Sequence, residues 1–493
     1  MFESIELGHK LAKNKFKELL PKLRAELLQA HLQLQGCNFP VIVIIAGEDA
    51  AGKGETAQRL NEWLDPHGVE THAFWESSKE KRQRPEYWRF WQAMPGRGRI
   101  GIFFGSWYAE PMLRRISGKI KSDAFDHALD RIAAFEKMLT DDGALVLKFW
   151  LHLSRKDQKN SLKALDKKGL ATQTDWNHHK LYDSFSKIAE RAISRTHDSA
   201  APWHLVEAAD ERYRVYTVAK ILQESLQQKL DTTSTSDSTP KSVYVKARET
   251  GEPGLTSGTD SILDKIDLTQ ELSDSDYRKQ IAELQTRLGK LAWKAHSERR
   301  SMVLVFEGWD AAGKGGAICR VVQSMDPRLY KVVGVAAPTD EERAQHYLWR
   351  FWRNIPRAGS ATIFDRSWYG RILVERVEGF APLADWSRAY TEINAFEEQL
   401  VEHGIILRKF WLHISPEEQL RRFKEREQIA YKQYKITEED WRNRKKWDDY
   451  NLAVNEMVAR CSTDYAPWTL VAANDKRIAR TQVIKTVVNA LER

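Results

Sequence analysis

A glycine-rich segment of nine residues occurs twice in the chain. Gly47-Glu-Asp-Ala-Ala-Gly-Lys-Gly-Glu55 returns as Gly308-Trp-Asp-Ala-Ala-Gly-Lys-Gly-Gly316, with seven of nine positions identical. Each stretch follows a short apolar run and precedes a segment with helical spacing. Glycines at these positions let successive backbone N–H groups converge on an anion, and the Lys adds a positive charge at the helix N-terminus. The pattern predicts a phosphate-binding loop in each half of the chain.

The two segments are 261 residues apart, and further motifs of the two halves are separated by the same number of residues. Near the end of the chain a small insertion increases this separation to 265 residues. The matching pairs are Asp65-Pro66 and Asp326-Pro327, Trp88–Trp91 and Trp349–Trp352, Ser106–Tyr108 and Ser367–Tyr369, Lys148–His152 and Lys409–His413, and Ala201–Trp203 and Ala466–Trp468. Internal repeats of this length indicate a duplicated domain. Because residues 231–260 are rich in Ser, Thr, Pro and Gly, we predict domains at 1–230 and 261–493 with a flexible linker between them.

The apolar runs of each copy are short and continuous, as in strands buried on both faces of a sheet. They are Val41–Ile45, Ile100–Phe104, Ala144–Phe149 and Trp203–Val206, then Met302–Phe306, Ala361–Phe364, Ile405–Phe410 and Trp468–Ala472. An additional helix is predicted before each set, over Leu11–Leu34 and Leu272–Leu291. The fold class is therefore α/β, a tandem duplication in which each copy is a parallel sheet flanked by helices.

Composition excludes several classes of protein. The chain has 493 residues, 42% of them hydrophobic and 30% charged, which excludes general disorder. It has no apolar window near the roughly 18 residues of a membrane span and no signal-peptide pattern, so we expect a cytoplasmic protein that does not contact membranes. Its three cysteines are far apart and suggest neither disulfides nor a thiolate zinc site. The net charge of +8 weakly favours an anionic ligand.

The loop departs from the usual pattern at one position. The Ser or Thr whose hydroxyl normally holds Mg²⁺ is Gly315 in the second copy and Gly54 in the first. Another oxygen is then needed, and Asp310 in the loop and Asp365 at the end of the Ala361–Phe364 strand are the candidates, since Mg²⁺ prefers one or two carboxylates together with phosphate oxygens. A cap beyond the strand is the alternative for Asp365.

Several arginines follow these motifs in the second copy, at Arg366, Arg371, Arg421, Arg422 and Arg426. Arg422 and Arg426 are i, i+4 neighbours on a predicted helix, so they suit either phosphate binding or a solvated surface. The first copy has Asn160, Ser161 and Leu165 in place of Arg421, Arg422 and Arg426, and Phe104 and Gly105 in place of Asp365 and Arg366. Because the first copy lacks all of these charged side chains, we assign catalysis to the second copy.

The predicted site residues fall into three groups. The catalytic residues are Asp310, Lys314, Asp365, Arg366, Arg422 and Arg426, the phosphate-binding residues are Gly308, Ala311, Ala312, Gly313, Lys314, Gly315, Arg371 and Arg421, and the metal ligands are Asp310 and Asp365. The aromatic blocks Trp349–Trp352 and Trp411, together with His152 and His413, are interpreted as structural.

The motifs Gly308–Gly315, Asp365–Arg371, Lys409–His413 and the Arg421-Arg-Phe helix, in this order, resemble the polyphosphate kinase 2 family over nearly the whole chain, twice. The resemblance implies a P-loop kinase fold with a helical lid that carries Arg421, Arg422 and Arg426. It also implies Mg²⁺-dependent phosphoryl transfer between inorganic polyphosphate and nucleotides, with Asp310 and Asp365 on the metal and Lys314 and Arg366 neutralising the transferred group. Fused two-domain members are associated with AMP as acceptor, giving ADP.

Three alternatives stay open at this stage. They are a polyphosphate-dependent kinase of nucleoside diphosphates, an ATP-dependent nucleoside monophosphate kinase, and a non-catalytic polyanion binder, which the pI of about 9.1 would suit. We expect no nucleic-acid partner, and the sequence leaves homo-oligomerisation open.

Overall fold

The computed structural model of the protein describes residues 1–74, 83–167, 173–236, 261–428 and 438–493. Two compact units are present, one comprising Met1–Ser77, Arg89–Lys246 and Thr339–His346, and the other Ser78–Trp88, Ala247–Pro338 and Tyr347–Arg493. In the described part of the chain, no helix is both long enough and apolar enough to cross a membrane.

The elements of the first copy alternate between strands and helices. In order they are α1 Lys13–Leu34, β1 Val41–Gly47, α2 Lys53–Trp63, β2 Val69–Ala73, α3 Trp88–Trp91, β3 Ile100–Phe104, α4 Ala109–Ile116, α5 Ser122–Asp141, β4 Leu145–His152, α6 Arg155–Asp166, α7 Gln173–Lys180, α8 Tyr182–Thr196, β5 Trp203–Glu207 and α9 Glu211–Ser236. A 3₁₀ turn over Phe2–Ile5 precedes them.

The second copy repeats this order. It contains α10 Asp274–Ser297, β6 Met302–Gly308, α11 Lys314–Val322, β7 Tyr330–Gly334, α12 Asp340–Arg343, α13 Trp349–Trp352, β8 Ala361–Asp365, α14 Val374–Val377, α15 Leu383–Glu402, β9 Ile406–His413, α16 Pro416–Gln428, α17 Glu438–Lys445, α18 Trp447–Cys461, β10 Trp468–Ala472 and α19 Lys476–Glu492, with 3₁₀ turns at Leu263–Lys265, Pro327–Leu329 and Trp368–Arg371.

The described strands form two five-stranded sheets of equivalent topology, ordered β2-β3-β1-β4-β5 and β7-β8-β6-β9-β10. The neighbouring strands run parallel, which confirms the predicted fold class. The register also repeats, because Ile45 lies opposite Phe104 in one sheet and Phe306 lies opposite Asp365 in the other. The carboxyl end of the central strand, where each loop begins, therefore has the same neighbours in both copies.

The edge strands β2 and β7 were not predicted from the sequence. Both are short, with three exposed and two partly buried positions in each. A continuous apolar run is the signal of a strand covered on both faces, so a strand at the edge of the sheet does not produce it. The four remaining strands of each sheet lie where the sequence predicts them, within a few residues at their ends.

The first helix of each copy, α1 and α10, lies where apolar spacing predicts a helix. Helix α9 continues through residues 231–236, the first residues of the predicted linker, and residues 237–260 lie outside the described part of the chain. The division of the chain into domains at 230 and 261 stays a prediction.

The motif Lys-Phe-Trp-Leu-His has a structural role in both copies. Lys148 Nζ bonds Glu136 at 2.6 Å in the first copy, and Lys409 Nζ bonds Glu397 at 2.6 Å in the second. All four side chains are buried. Breaking a buried ion pair of this kind by removing one partner typically costs about 3–5 kcal/mol of stability. Because the pair is identical in the copy that lacks the predicted metal site, it supports the fold rather than the chemistry.

Candidate active site

The second phosphate loop runs from the end of β6 to the start of α11. Gly308 ends the strand with φ 148°, and a Cβ there would lie 2.5 Å from the carbonyl oxygen of Leu412. Gly313 has φ 105° and is the N-cap of α11. These two positions require glycine, because a side chain would clash at the first and strain the backbone at the second. Gly315 has no such constraint, since nothing lies within 4 Å of a Cβ built there.

Lys314 is the first residue of α11 and folds back over its own loop. Its Nζ donates to the carbonyl oxygens of Gly308 at 2.6 Å and Trp309 at 3.2 Å. The ammonium therefore lies at the mouth of the loop, where the helix N-terminus also favours an anion. A phosphate entering the loop offers Lys314 a charged acceptor in place of these neutral carbonyls.

Asp310 connects the loop to two other elements. Its Oδ1 accepts a 3.1 Å hydrogen bond from Arg366, and its Oδ2 accepts a 3.0 Å hydrogen bond from Asn443 on α17. Burial alone would raise the pKa of this carboxyl, but Lys314 and Arg366 outweigh that effect and hold the pKa below its usual value. Asp310 is therefore an ionised carboxylate held at the centre of the site.

Asp365 and Arg366 follow directly at the end of β8. Asp365 is the last residue of the strand and lies opposite Phe306 on β6, one residue before Glu307. Arg366 has φ 63°, a left-handed backbone conformation that costs an L residue about 1–2 kcal/mol. The equivalent residue of the first copy, Gly105, has φ 74° and adopts this conformation without that penalty. An arginine kept in a strained conformation suggests a functional role.

Glu307 is a buried acid that the sequence analysis missed. It precedes Gly308, the last residue of β6, and accepts a 2.7 Å hydrogen bond from the Ser367 hydroxyl. Burial raises the pKa of Glu307, although Ser367, Lys314 and Arg366 act in the opposite direction. The equivalent residue in the first copy is Ala46. The sequence contains a signal for this residue, because a glutamate interrupts this otherwise apolar strand in the second copy and not in the first.

A first cleft opens beside the first half of the loop. It combines aromatic, aliphatic and polar side chains, and is lined by Glu307, Gly308, Trp309, Asp310, Arg366, Gly370, Leu373, Val374, Trp411, Gln419, Asn443 and Tyr450. Trp309 stacks on Trp447, with ring centroids 3.6 Å apart. Trp411 was interpreted as a core residue and is buried, yet it also forms part of this wall.

A second cleft borders the other half of the loop, with lining residues Ala311, Ala312, Gly313, Ala317, Arg422, Glu425, Arg426, Lys476, Ala479 and Arg480. The predicted residues in this set are Ala311, Ala312, Gly313, Arg422 and Arg426, whereas Lys476 and Arg480 on α19 were not predicted. Positively charged side chains outnumber the acidic Glu425 in this lining, so the cleft suits an anion. The two clefts, one largely apolar and one basic, therefore meet along the two halves of one loop.

The remaining predicted arginines have other surroundings. The solvated-surface alternative does not hold for Arg422, because its side chain is 3% exposed and its guanidinium bonds backbone carbonyls. Arg421 is 61% exposed and is paired with Glu418. Arg371 lies over the ring of Tyr347 and is 3.2 Å from Glu375. Neither Arg421 nor Arg371 is among the described residues that line the two clefts.

The first copy keeps the loop but has different side chains around it. Lys53 Nζ bonds the carbonyl oxygens of Gly47 and Glu48, both at 2.8 Å, as Lys314 does in its own loop. Asp49 is bonded by His178, the residue equivalent to Asn443. At the positions of Arg426, Lys476 and Arg480 the first copy has Leu165, Glu211 and Val215. The basic lining of the second cleft is therefore a property of the second copy.

Comparison with known proteins gives the family. A family model described as polyphosphate kinase 2 matches residues 10–234 and again residues 271–493. A polyphosphate:AMP phosphotransferase of Pseudomonas aeruginosa is 51% identical over 499 residues, covering 100% of this chain and 99% of that protein. The protein of the same name from Pseudomonas syringae pv. tomato is 47% identical, covering 100% and 98%.

A crystal structure of a candidate polyphosphate kinase 2 from Pseudomonas aeruginosa is 50% identical, superimposes with a TM-score of 0.89, and covers 100% of this chain and 98% of its own. An NDP-polyphosphate phosphotransferase of Ruegeria pomeroyi is 41% identical over 45% of this chain and 74% of that protein. The duplicated sheet, the two phosphate loops and these full-length matches agree, and the chain is a member of the polyphosphate kinase 2 family with the family domain present twice.

Proposed function

We propose that the protein transfers the terminal phosphoryl group of inorganic polyphosphate to AMP, giving ADP and a polyphosphate chain shorter by one unit. Support comes from relatives named for this reaction that match over the full length of the chain. The observation in the molecule that carries the proposal is the pair of unlike clefts on either side of one phosphate loop. Transfer between two substrates requires both to reach the same loop, and a hydrolase would not need the second cleft.

The acceptor nucleotide belongs in the first cleft. Its aromatic and aliphatic walls suit a nucleoside, while Arg366 and the start of the loop suit the nucleotide phosphate. The donor belongs in the second cleft, where Arg426, Lys476 and Arg480 suit a long, flexible polyanion. Under this assignment the reacting phosphate groups meet at the loop, between the two clefts.

Mg²⁺ fits the residues at this point. Asp310 is 14% exposed with its pKa held below the usual value, and Asp365 ends a neighbouring strand at the same edge of the sheet, so two carboxylates are available to a hard cation that prefers oxygen ligands. We assign Asp310 and Asp365 to the metal. When bound, Mg²⁺ neutralises phosphate oxygens and orients them for transfer.

The residues of the chain supply positioning and charge. An oxygen of the AMP phosphate attacks the terminal phosphorus of polyphosphate, a new P–O bond forms, and the bond from that phosphorus to the bridging oxygen breaks, leaving the electron pair on the shortened chain. Because the attacking oxygen is already anionic, no general base is needed. Lys314 and Arg366 neutralise the charge on the transferred group, and the loop N–H groups hold its oxygens.

A second candidate is phosphorylation of nucleoside diphosphates, which the names of several relatives matching one half of the chain favour. Purified protein with Mg²⁺ and either polyphosphate or ATP as donor, offered AMP, ADP, GMP and GDP in turn, distinguishes the candidates. We expect polyphosphate-dependent formation of ADP from AMP at the highest rate. A preference for ADP or GDP as acceptor would support the second candidate. Turnover with ATP but not with polyphosphate as donor would refute both candidates.

A further inference from the structure

Arg422 has every one of its hydrogen-bond donors in use. Its Nε bonds Glu418 at 2.6 Å. Its Nη1 donates to the carbonyl oxygens of Ala311 and Ala312 at 2.9 and 3.0 Å, and its Nη2 donates to those of Ala473 and Asn474 at 2.7 and 2.8 Å. A guanidinium has five N–H groups, and five acceptors are present here. A phosphate could bond this arginine only by displacing one of them.

The five acceptors of Arg422 belong to three segments of the chain, one of which is the loop itself. Ala311 and Ala312 are loop residues, Ala473 and Asn474 follow β10, and Glu418 shares α16 with the arginine itself. Ala311 has φ 64°, so the loop is held in a conformation that an L residue rarely adopts. The rigid guanidinium of Arg422 donates both to the carbonyl of this strained residue and to carbonyls at the end of the sheet, and so links the loop to the sheet.

The first copy has a buried arginine from a different helix at the corresponding place. Arg214 on α9 donates to the carbonyl oxygen of Ala208, the residue equivalent to Ala473, at 3.0 Å. A Cβ built on Gly52, the equivalent of Gly313, would lie 2.3 Å from the Arg214 guanidinium carbon. Further bonds join Arg214 to Thr56 and Glu55 at the start of α2.

The two arginines exchange positions between the copies. The first copy has Ser161 where the second has Arg422, and the second has Ala479 where the first has Arg214. Each copy therefore contains one buried arginine behind its loop, contributed by α9 in one case and α16 in the other. Arg422 bonds two loop carbonyls, whereas Arg214 bonds the end of the sheet and the start of the helix that follows the loop. The first copy has this arginine although it lacks the equivalents of Asp365 and Arg366, so a structural role at this place does not depend on the chemistry.

We propose that Arg422 is a positioning residue, which holds the phosphate loop so that its N–H groups and Lys314 face the substrate, and that it does not contact the transferred phosphoryl group. Arg214 occupies the corresponding place in the first copy, where it joins the end of the sheet to the start of α2. The turnover measurements below rest on the proposed function, whereas the measurement of loop exchange does not.

The test compares Arg422→Lys and Arg422→Met with Arg426→Lys and Arg426→Met. Lysine keeps the charge but cannot make the five-donor fork, so both Arg422 variants should lose about tenfold or more in kcat/KM and lie within about threefold of each other. At Arg426, which lines the basic cleft, lysine should keep most of the activity that methionine loses. Hydrogen exchange of ligand-free protein should be faster at residues 308–316 in the Arg422 variants, with β9 and β10 unchanged.

Two outcomes would overturn the proposal. One is an Arg422→Lys protein that keeps most of its activity while Arg422→Met loses it, because charge at a phosphate would then matter more than the fork. The other is unchanged exchange at residues 308–316. If the Arg422 variants do not fold, Glu418→Gln provides the same measurement, since it weakens the anchor of Nε and leaves the arginine in place. Unchanged loop exchange in that variant would also count against the proposal.

Discussion

Arg366 donates a 3.1 Å hydrogen bond to Asp310, which joins the end of β8 to the phosphate loop. Two motifs that are 56 residues apart in the sequence thereby form one site. The bond places an arginine on one oxygen of a carboxylate that we assign to Mg²⁺. Charge at this junction is balanced among Asp310, Asp365, Arg366 and Lys314, so a change at any one of them alters the environment of the others.

The carboxylates should be needed for turnover. We expect Asp310→Asn and Asp365→Asn each to lower kcat at least about a hundredfold, a loss of roughly 3 kcal/mol in transition-state stabilisation, because each removes a negative oxygen from the metal. Rates measured across a Mg²⁺ titration should also show a higher requirement for the ion. Melting temperatures serve as the control for folding, and near-normal rates in either folded variant would refute the assignment.

Arg366 allows activity and stability to be separated. Arg366→Gly introduces the residue of the first copy and relieves the left-handed backbone, so the free energy of unfolding should stay within about 1 kcal/mol of wild type or rise. The rate should nevertheless fall about tenfold or more, because a charge facing the transferred group is lost. Denaturant unfolding and steady-state kinetics on the same preparation measure both. A parallel loss of stability and activity would instead indicate a structural arginine.

The basic cleft should control the affinity for the donor. Arg426→Ala and Lys476→Ala should raise KM for polyphosphate about tenfold, equivalent to about 1.4 kcal/mol, with little change in KM for AMP. Arg421→Ala is the matched control, since this arginine is exposed and paired with Glu418. Arg421 was predicted from its place in the sequence to bind phosphate. If it does, Arg421→Ala should raise KM for polyphosphate as much as Arg426→Ala, contrary to our expectation.

Two equivalent histidines should give opposite pH dependences. Burial lowers the pKa of His413 to about 4, so the stability that this residue contributes is present above its ordinary pKa and is lost as pH falls. Burial would also lower the pKa of His152, but Glu48 and Glu6 outweigh it and raise the pKa. The contribution of His152 is therefore present at low pH and is lost as pH rises through the raised pKa.

Denaturant unfolding between pH 5 and 8.5 measures both effects. His413→Gln should flatten the acid side of the stability curve, and His152→Gln should flatten the alkaline side. An unchanged acid side in His413→Gln would mean that this histidine is not held neutral by burial.

Much of this arrangement could be read from the sequence, because strands covered on both faces and glycines with forced geometry leave strong patterns. The burial of Arg422 could not, since helical spacing identifies a shared face but not whether that face meets solvent or the loop. The edge strand β7 was missed because its side chains are largely exposed. Lys476 and Arg480 were missed because residues of a distant helix join the cleft only once the chain has folded.

The first loop supports a last prediction, because it has the form of a phosphate site without the surrounding charges. Lys53 bonds two carbonyls of its own loop, and Phe104 and Gly105 stand where the second copy has Asp365 and Arg366. Lys53→Ala should therefore leave kcat and both KM values within about twofold of wild type, as expected for an independent site. Lys314→Ala, the same change at the equivalent position, should lower kcat at least about a hundredfold. Both proteins need matching melting curves for a fair comparison. If a folded Lys53→Ala protein lost its activity, the first copy would have to perform chemistry or deliver substrate, and catalysis could no longer be assigned to the second copy alone.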